Sequence, residues 1–221
     1  MSLPKDCADH LRARYRLLTG NKLGSSHAHE LVAAFFGYKT AAALRAETRF
    51  PLSDIGKAEI LIPDLRLMDE RVGTLRGLPA DLPGVEDLTS DLCDFLASQG
   101  HFDGRFWRSR HLSDDVNAFV QDDPMMIEGA LDGEIASTNA YFDELYIEEY
   151  DFKPSDDALV ATLTGSLNGE NDQDRAFHGD KIVFTTVMTF ERVAGRIAYM
   201  EPELETDGKV DYSMYYDEDF A

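Results

Sequence analysis

Asn168, Glu170, Asp172 and Asp174 place four oxygen-bearing side chains within seven residues, and such a density of oxygen donors is what a hard divalent cation recruits. The run lacks the Asp-x-Asp-x-Asp-Gly spacing and closing Glu of an EF-hand, so a polar loop between strands is the competing expectation. Calcium or magnesium is the cofactor it would take. Glu201, Glu203 and Glu205 alternate, and in a strand they would point the same way at intervals of about 6.6 Å. Together with Asp211, Asp217, Glu218 and Asp219 they make a candidate partner-binding surface, an array that could imitate a phosphate backbone in a basic groove, and the alternative is ordinary solvated surface charge. Arg105, Trp107 and Arg108 belong to the segment His101 to His111, which holds three arginines, two histidines and three aromatics. Cations interleaved with rings can stack on bases, and the alternative is internal docking on acidic residues of the C-terminal half. His29-Glu30 opens like the zinc-protease helix His-Glu-x-x-His, but no second histidine follows one turn on.

Nucleophile-elbow, phosphate-loop, dinucleotide and zinc signatures are absent from the sequence. Cys7 and Cys93 are the two cysteines, and their separation suggests neither a disulfide framework nor a zinc site. The charge is more informative. A formal net charge of −21 over 221 residues repels nucleic acid and anionic membranes from most of the surface and attracts basic partners. It is unevenly spread: +4 over residues 1–50, −6 over 51–120 and −19 over 121–221. The start of the chain has no apolar leader and no apolar run approaches bilayer length, so a cytoplasmic protein with no membrane association is expected.

Three segments must position these residues: a basic helical module (1–50), a helical middle region (51–120) and an acidic antiparallel β domain (121–221). In the first, Cys7, Leu11, Tyr15 and Leu18 form a helical stripe that Thr19-Gly20-Asn21 ends. Ser26 is placed to cap a second helix carrying Ala28, Leu31, Val32 and Phe35, with Gly37 as its C′ residue, and Thr40 to cap a third through Leu44. The outline is that of a helix-turn-helix, in which Lys39, Thr40 and Arg45 are the residues able to reach DNA, whereas Ala41 to Ala43 offer nothing to a base edge. Plain three-helix packing and self-association are the alternatives. In the middle region Leu65, Met68, Val72 and Leu75 make one stripe, and Val85, Leu88, Leu92, Phe95 and Leu96 another that stops at Gly100.

Ser26, Glu30, Leu31, Val32, Ala33, Gly37, Tyr38 and Leu44 together resemble the small N-terminal helical domain of some bacterial glyoxalase-related proteins. The likeness covers about residues 11–47 and departs from the pattern at Ala41, where an aromatic is usual. It implies a bacterial helical module, often on mobile elements. It carries no glyoxalase chemistry, because no metal-binding βαβββ repeat follows.

From about Asp143 the period becomes two. Leu159 to Leu167 and Ile182 to Phe190 alternate as half-buried strands, and Glu144 to Phe152, apolar on both faces, reads either as a bulged edge strand or as a strand covered on both sides. Arg192-Val-Ala-Gly195 and Thr206-Asp-Gly-Lys209 read as hairpin turns, with strands at Ile197 to Met200 and Val210 to Tyr215. The fold class is therefore α+β. The expected function is a non-catalytic interaction or regulatory protein whose acidic β domain binds a basic protein surface. A metal-dependent enzyme using acidic-loop carboxylates or those near Glu148, and a helix-turn-helix DNA-binding regulator, are the alternatives.

Overall fold

The computed structural model describes residues 2–138, 140–171 and 180–213. In chain order its helices are α1 (Leu3–Thr19), α2 (Ser25–Phe35), α3 (Ala41–Ala46), α4 (Leu65–Thr74), α5 (Val85–Ser98), α6 (Leu112–Asp122), α7 (Met125–Glu128) and α8 (Asp132–Ser137). Its strands are β1 (Ile60–Leu61), β2 (Arg105–Phe106), β3 (Ala140–Pro154), β4 (Ala158–Asn171), β5 (Lys181–Ala194), β6 (Ala198–Tyr199) and β7 (Glu203–Val210). The chain divides into two compact units, Met1–Arg110 with Glu191–Glu201, and His111–Phe190 with Pro202–Ala221.

In the first unit α2 is the buried helix. Ala28 and every residue from Leu31 to Phe36 are fully buried, and α1, α3 and α4 all pack on it. Its second half, Leu31 to Phe35, is apolar on all sides and needs such a jacket. Gly24, not Ser26, precedes its first turn. Its end follows the expectation: Gly37 takes φ +82°, its N–H reaches Ala34 O at 2.9 Å and Tyr38 N–H reaches Ala33 O at 2.8 Å. That bond pair closes a Schellman turn, which glycine adopts without a Cβ penalty. A side chain there would also meet the Arg196 Cβ at 2.7 Å. Thr40 Oγ1 accepts from Ala43 N–H at 3.0 Å and starts α3 as anticipated. Leu18 departs from its expected stripe and stands 56% exposed.

The core of this unit joins Cys7, Leu11 and Phe35 to Met68, Leu92 and Ile197. Helices of the first fifty residues and of the middle region thus share one interior. Two strands that no periodicity announced complete it: β1 pairs parallel with β2 and antiparallel with β6, and β6 pairs with the end of β5. The sheet is therefore mixed, correcting the purely antiparallel expectation. The turn before β6 centres on Gly195, φ +57°, because Arg192 to Ala194 still belong to β5.

In the second unit the strand order is β3-β4-β5-β7, with β3 antiparallel to β4 and β5 antiparallel to β7. Leu159, Ala161, Leu163 and Leu167 of β4 and Ile182, Phe184, Met188 and Phe190 of β5 are buried at every second position. α6 packs on β3, and its Val116, Phe119 and Val120 are also buried. β3 is an edge strand with register shifts after Phe142 and Ile147, the bulged edge that Glu144 to Phe152 suggested. Two expectations are corrected. Thr206 to Lys209 is no hairpin turn but the interior of β7, with Gly208 opposite Phe184. β7 ends at Val210, Asp211 to Ser213 lie outside it, and Met214 and Tyr215 fall outside the described residues.

Candidate interaction surface

Glu203 and Glu205 lie on one face of β7, and the alternation continues through Asp207 and Lys209, all four exposed. Their partners across the ladder are Thr189, Val187, Thr185 and Val183 in that order. Directly opposed residues of an antiparallel pair share a face, so this acidic row borders the side of β5 turned away from the core. On the far edge, Glu149 pairs with Thr164, Asp151 with Thr162 and Lys153 with Val160. The unburied face of the sheet therefore has a threonine and valine floor between two rows of carboxylates. Cations on it are few: Lys153 Nζ lies 2.8 Å from Asp151 and Lys181 Nζ 4.0 Å from Glu148. Ser166 Oγ donates to Glu148 Oε1 at 3.4 Å and is 2% exposed.

The unit boundary sharpens the charge map. The first unit contains 17 Lys/Arg and 17 Asp/Glu, the second 4 and 25, so the entire formal charge of −21 falls on the second. None of its described carboxylates is buried.

Of the other partner-binding candidates, Glu201 belongs to the first unit, where its backbone N–H donates to Glu59 Oε2 at 2.7 Å. Asp211 Oδ1 accepts from Ser213 N–H at 3.0 Å, and bonds from Ser213 hold its carboxyl below the usual range. Asp217, Glu218 and Asp219 lie outside the described residues, as do Asp172 and Asp174 of the candidate metal loop. Asn168 and Glu170 are not loop residues. They continue β4, opposite Glu144 and Tyr141. Among the described residues no group of three or more His, Cys, Asp or Glu is arranged to hold a metal ion.

The nucleic-acid candidates are placed as follows. Trp107 is 6% exposed, which leaves no ring face for a base to stack on. Arg108 donates to Ser90 Oγ at 3.2 Å and lies 3.5 Å from Asp94, with its guanidinium 5.5 Å from the Phe106 ring centre. Arg110 clamps Asp69 of α4 and Glu86 of α5, and its bond holds the Glu86 carboxyl below the ordinary range. Arg108 and Arg110 thus dock internally on α4 and α5, which corrects the expectation that they pair with acidic residues of the C-terminal half. Arg105 is exposed on β2, and Lys39 and Arg45 are exposed beside Thr40, whose hydroxyl is committed to the cap. Glu30 pairs with Arg71 at 2.5 Å and anchors α2 to α4.

One broad cleft of the first unit, about 1000 Å³, is lined by Lys5, Asp6, His29, Arg45, Glu47 and His101 over an aliphatic floor. Its two fixed positive charges are matched by two carboxylates. Glu47 is further committed, accepting from Tyr38 Oη at 2.7 Å and from Arg49 and Phe50 N–H groups at 2.8 and 3.1 Å.

The carboxylate row on β3 and Asp207 do not stand out in the sequence. Two bulges break the period of β3, and the residues around Asp207 have the composition of a turn. Comparisons with known proteins return no matching family model, no matching curated protein and no matching solved structure. Among the described residues no helix is long and apolar enough to cross a membrane.

Proposed function

We propose that the chain is a non-catalytic interaction protein whose acidic unit engages a basic protein surface. One observation carries this: 25 acidic residues against 4 basic ones are gathered in one compact unit, with its described carboxylates all at the surface. Self-repulsion on that scale destabilises a small unit unless cations or a cationic partner neutralise it. Glu203, Glu205 and Asp207 repeat at about 6.6 Å along β7, a spacing of the order of successive phosphates on one nucleic-acid strand, and mimicry of such a strand fits the same partner class. The neutral unit serves as a packing module, the role that best fits the resemblance of residues 11–47 to a bacterial helical domain.

The test is a titration of the whole protein with poly-lysine from about 0.01 to about 1 M salt, over which the screening length falls from about 30 to about 3 Å. Binding at low salt that weakens steeply across this range is expected, and replacing Glu203, Glu205 and Asp207 by their amides weakens it further. Absence of binding at low salt, or affinity independent of salt, would overturn the proposal.

A further inference from the structure

The two carboxylate rows lie on the outer strands of a four-stranded sheet, β3 and β7. Three strand spacings separate them, about 14 Å. Between them Thr162, Thr164, Thr185, Val187 and Thr189 are exposed or half-buried and present only methyl and hydroxyl groups. Among the described residues the contacts of α6 and of Leu131 fall on the other side: Tyr150, a ladder partner of the buried Leu163, donates to Asn117 at 3.2 Å, and Leu131 abuts Gly208 beside the buried Ile182.

An α-helix with its side chains is about 10–12 Å across, so it fits between the rows on a floor of small residues. The repeats also match. Three carboxylates at alternate positions of β7 span about 13 Å. Lysines at i, i+4 and i+8 of a helix span about 12 Å, within the reach of flexible side chains. β7, eight residues long, extends about 27 Å, the length of a helix of about eighteen residues.

We infer that the open face of this sheet docks an amphipathic basic helix of a partner protein, its small apolar stripe on the Thr/Val floor and its lysine or arginine flanks along Glu149/Asp151 and Glu203/Glu205/Asp207. The inference rests on the acidic unit being a receptor for basic proteins and specifies the shape of what it receives. An extended basic segment would neutralise one row and leave the floor uncovered. A helix covers the floor and reaches both rows, combining apolar burial with charge pairing at the rim.

The experiment uses the full chain and two peptides of about eighteen residues with identical Lys, Ala and Val content. One has its lysines on two flanks of a helix and an Ala/Val stripe between them; the other has the lysines spread around the helix. Fluorescence anisotropy at low salt is expected to show the striped peptide binding at least about tenfold tighter. Thr185→Glu separates seating from charge, because bulk attraction alone predicts tighter binding when a carboxylate is added, whereas a helix on the floor predicts looser binding. Thr185→Gln repeats the obstruction without new charge, and far-UV circular dichroism confirms that both variants fold. Equal affinity for the two peptides, or undiminished affinity in both folded variants, would overturn helix docking and leave the basic-partner proposal standing. Failure of both peptides and of poly-lysine to bind at low salt would overturn both.

Discussion

Leu131 packs so closely over Gly208 that a Cβ at that glycine would lie 2.4 Å from the Leu131 Cδ2. This contact explains why Thr206-Asp-Gly-Lys209 is strand although its composition suits a hairpin. Gly208 admits the close approach of Leu131, and the ladder to β5 runs unbroken from Thr189–Glu203 to Ile182–Val210. Gly208→Ala is therefore expected to destabilise the second unit by about 1–3 kcal/mol, the usual range for overpacking. Gly133 sits in α8 with no atom near its would-be Cβ, and Gly133→Ala is expected to be neutral or stabilising by up to about 1 kcal/mol. Urea unfolding followed by circular dichroism compares the two.

Regular features were legible in the sequence where a single period ran uninterrupted. Leu159 to Leu167, Ile182 to Phe190 and the stripes of α4 and α5 are of that kind, as is the turn at Gly37, where one residue type satisfies one backbone need. Legibility failed where tertiary contact overrode local composition. β1 and β2, of two residues each, are too short to show a period, and the bulges of β3 moved Glu149 and Asp151 out of the alternation that would have exposed the second acidic row. Half the candidate surface was thus readable, the Glu203/Glu205 pair, and its threonine floor was visible only as the ordinary outer face of a strand.

Tyr38 and Glu47 form a pH-dependent stabiliser in the first unit. The hydrogen bond from Tyr38 and two backbone N–H groups favour ionised Glu47 and lower its pKa from the ordinary value of 4.5; the same bond, after burial, raises that of Tyr38. A depressed carboxyl contributes stability that is fully present above the unfolded value and is lost as pH falls through the folded one. Glu47→Gln is expected to cost about 1–3 kcal/mol at neutral pH. The gap between wild type and variant should narrow below about pH 4.5, as thermal unfolding across pH 3 to 7 would reveal.

Cys7 and Cys93 are both buried, and burial, the chief cause in each case, pushes their thiols up to about 12. The thiolate is the reactive species, so neither should react with a disulfide reagent in the native protein at pH 8. Two equivalents should appear on adding denaturant, at a rate that reports opening of the first unit. A native-state burst of one thiol would contradict this.

Trp107, the one tryptophan in the chain, allows the rival nucleic-acid function to be read directly. Its ring is 6% exposed, and the neighbouring Arg108 and Arg110 are held by Asp94, and by Asp69 and Glu86. Exposed ion pairs of this kind each contribute about 0–1 kcal/mol, so Arg110→Ala should lower the melting temperature only slightly. A single-stranded oligonucleotide at low salt should leave Trp107 emission unquenched, since base stacking requires an open ring face. The acidic unit would also repel such a strand at long range. Quenching that saturates with oligonucleotide and disappears in salt would place nucleic acid, instead of a basic protein, at this molecule's surface.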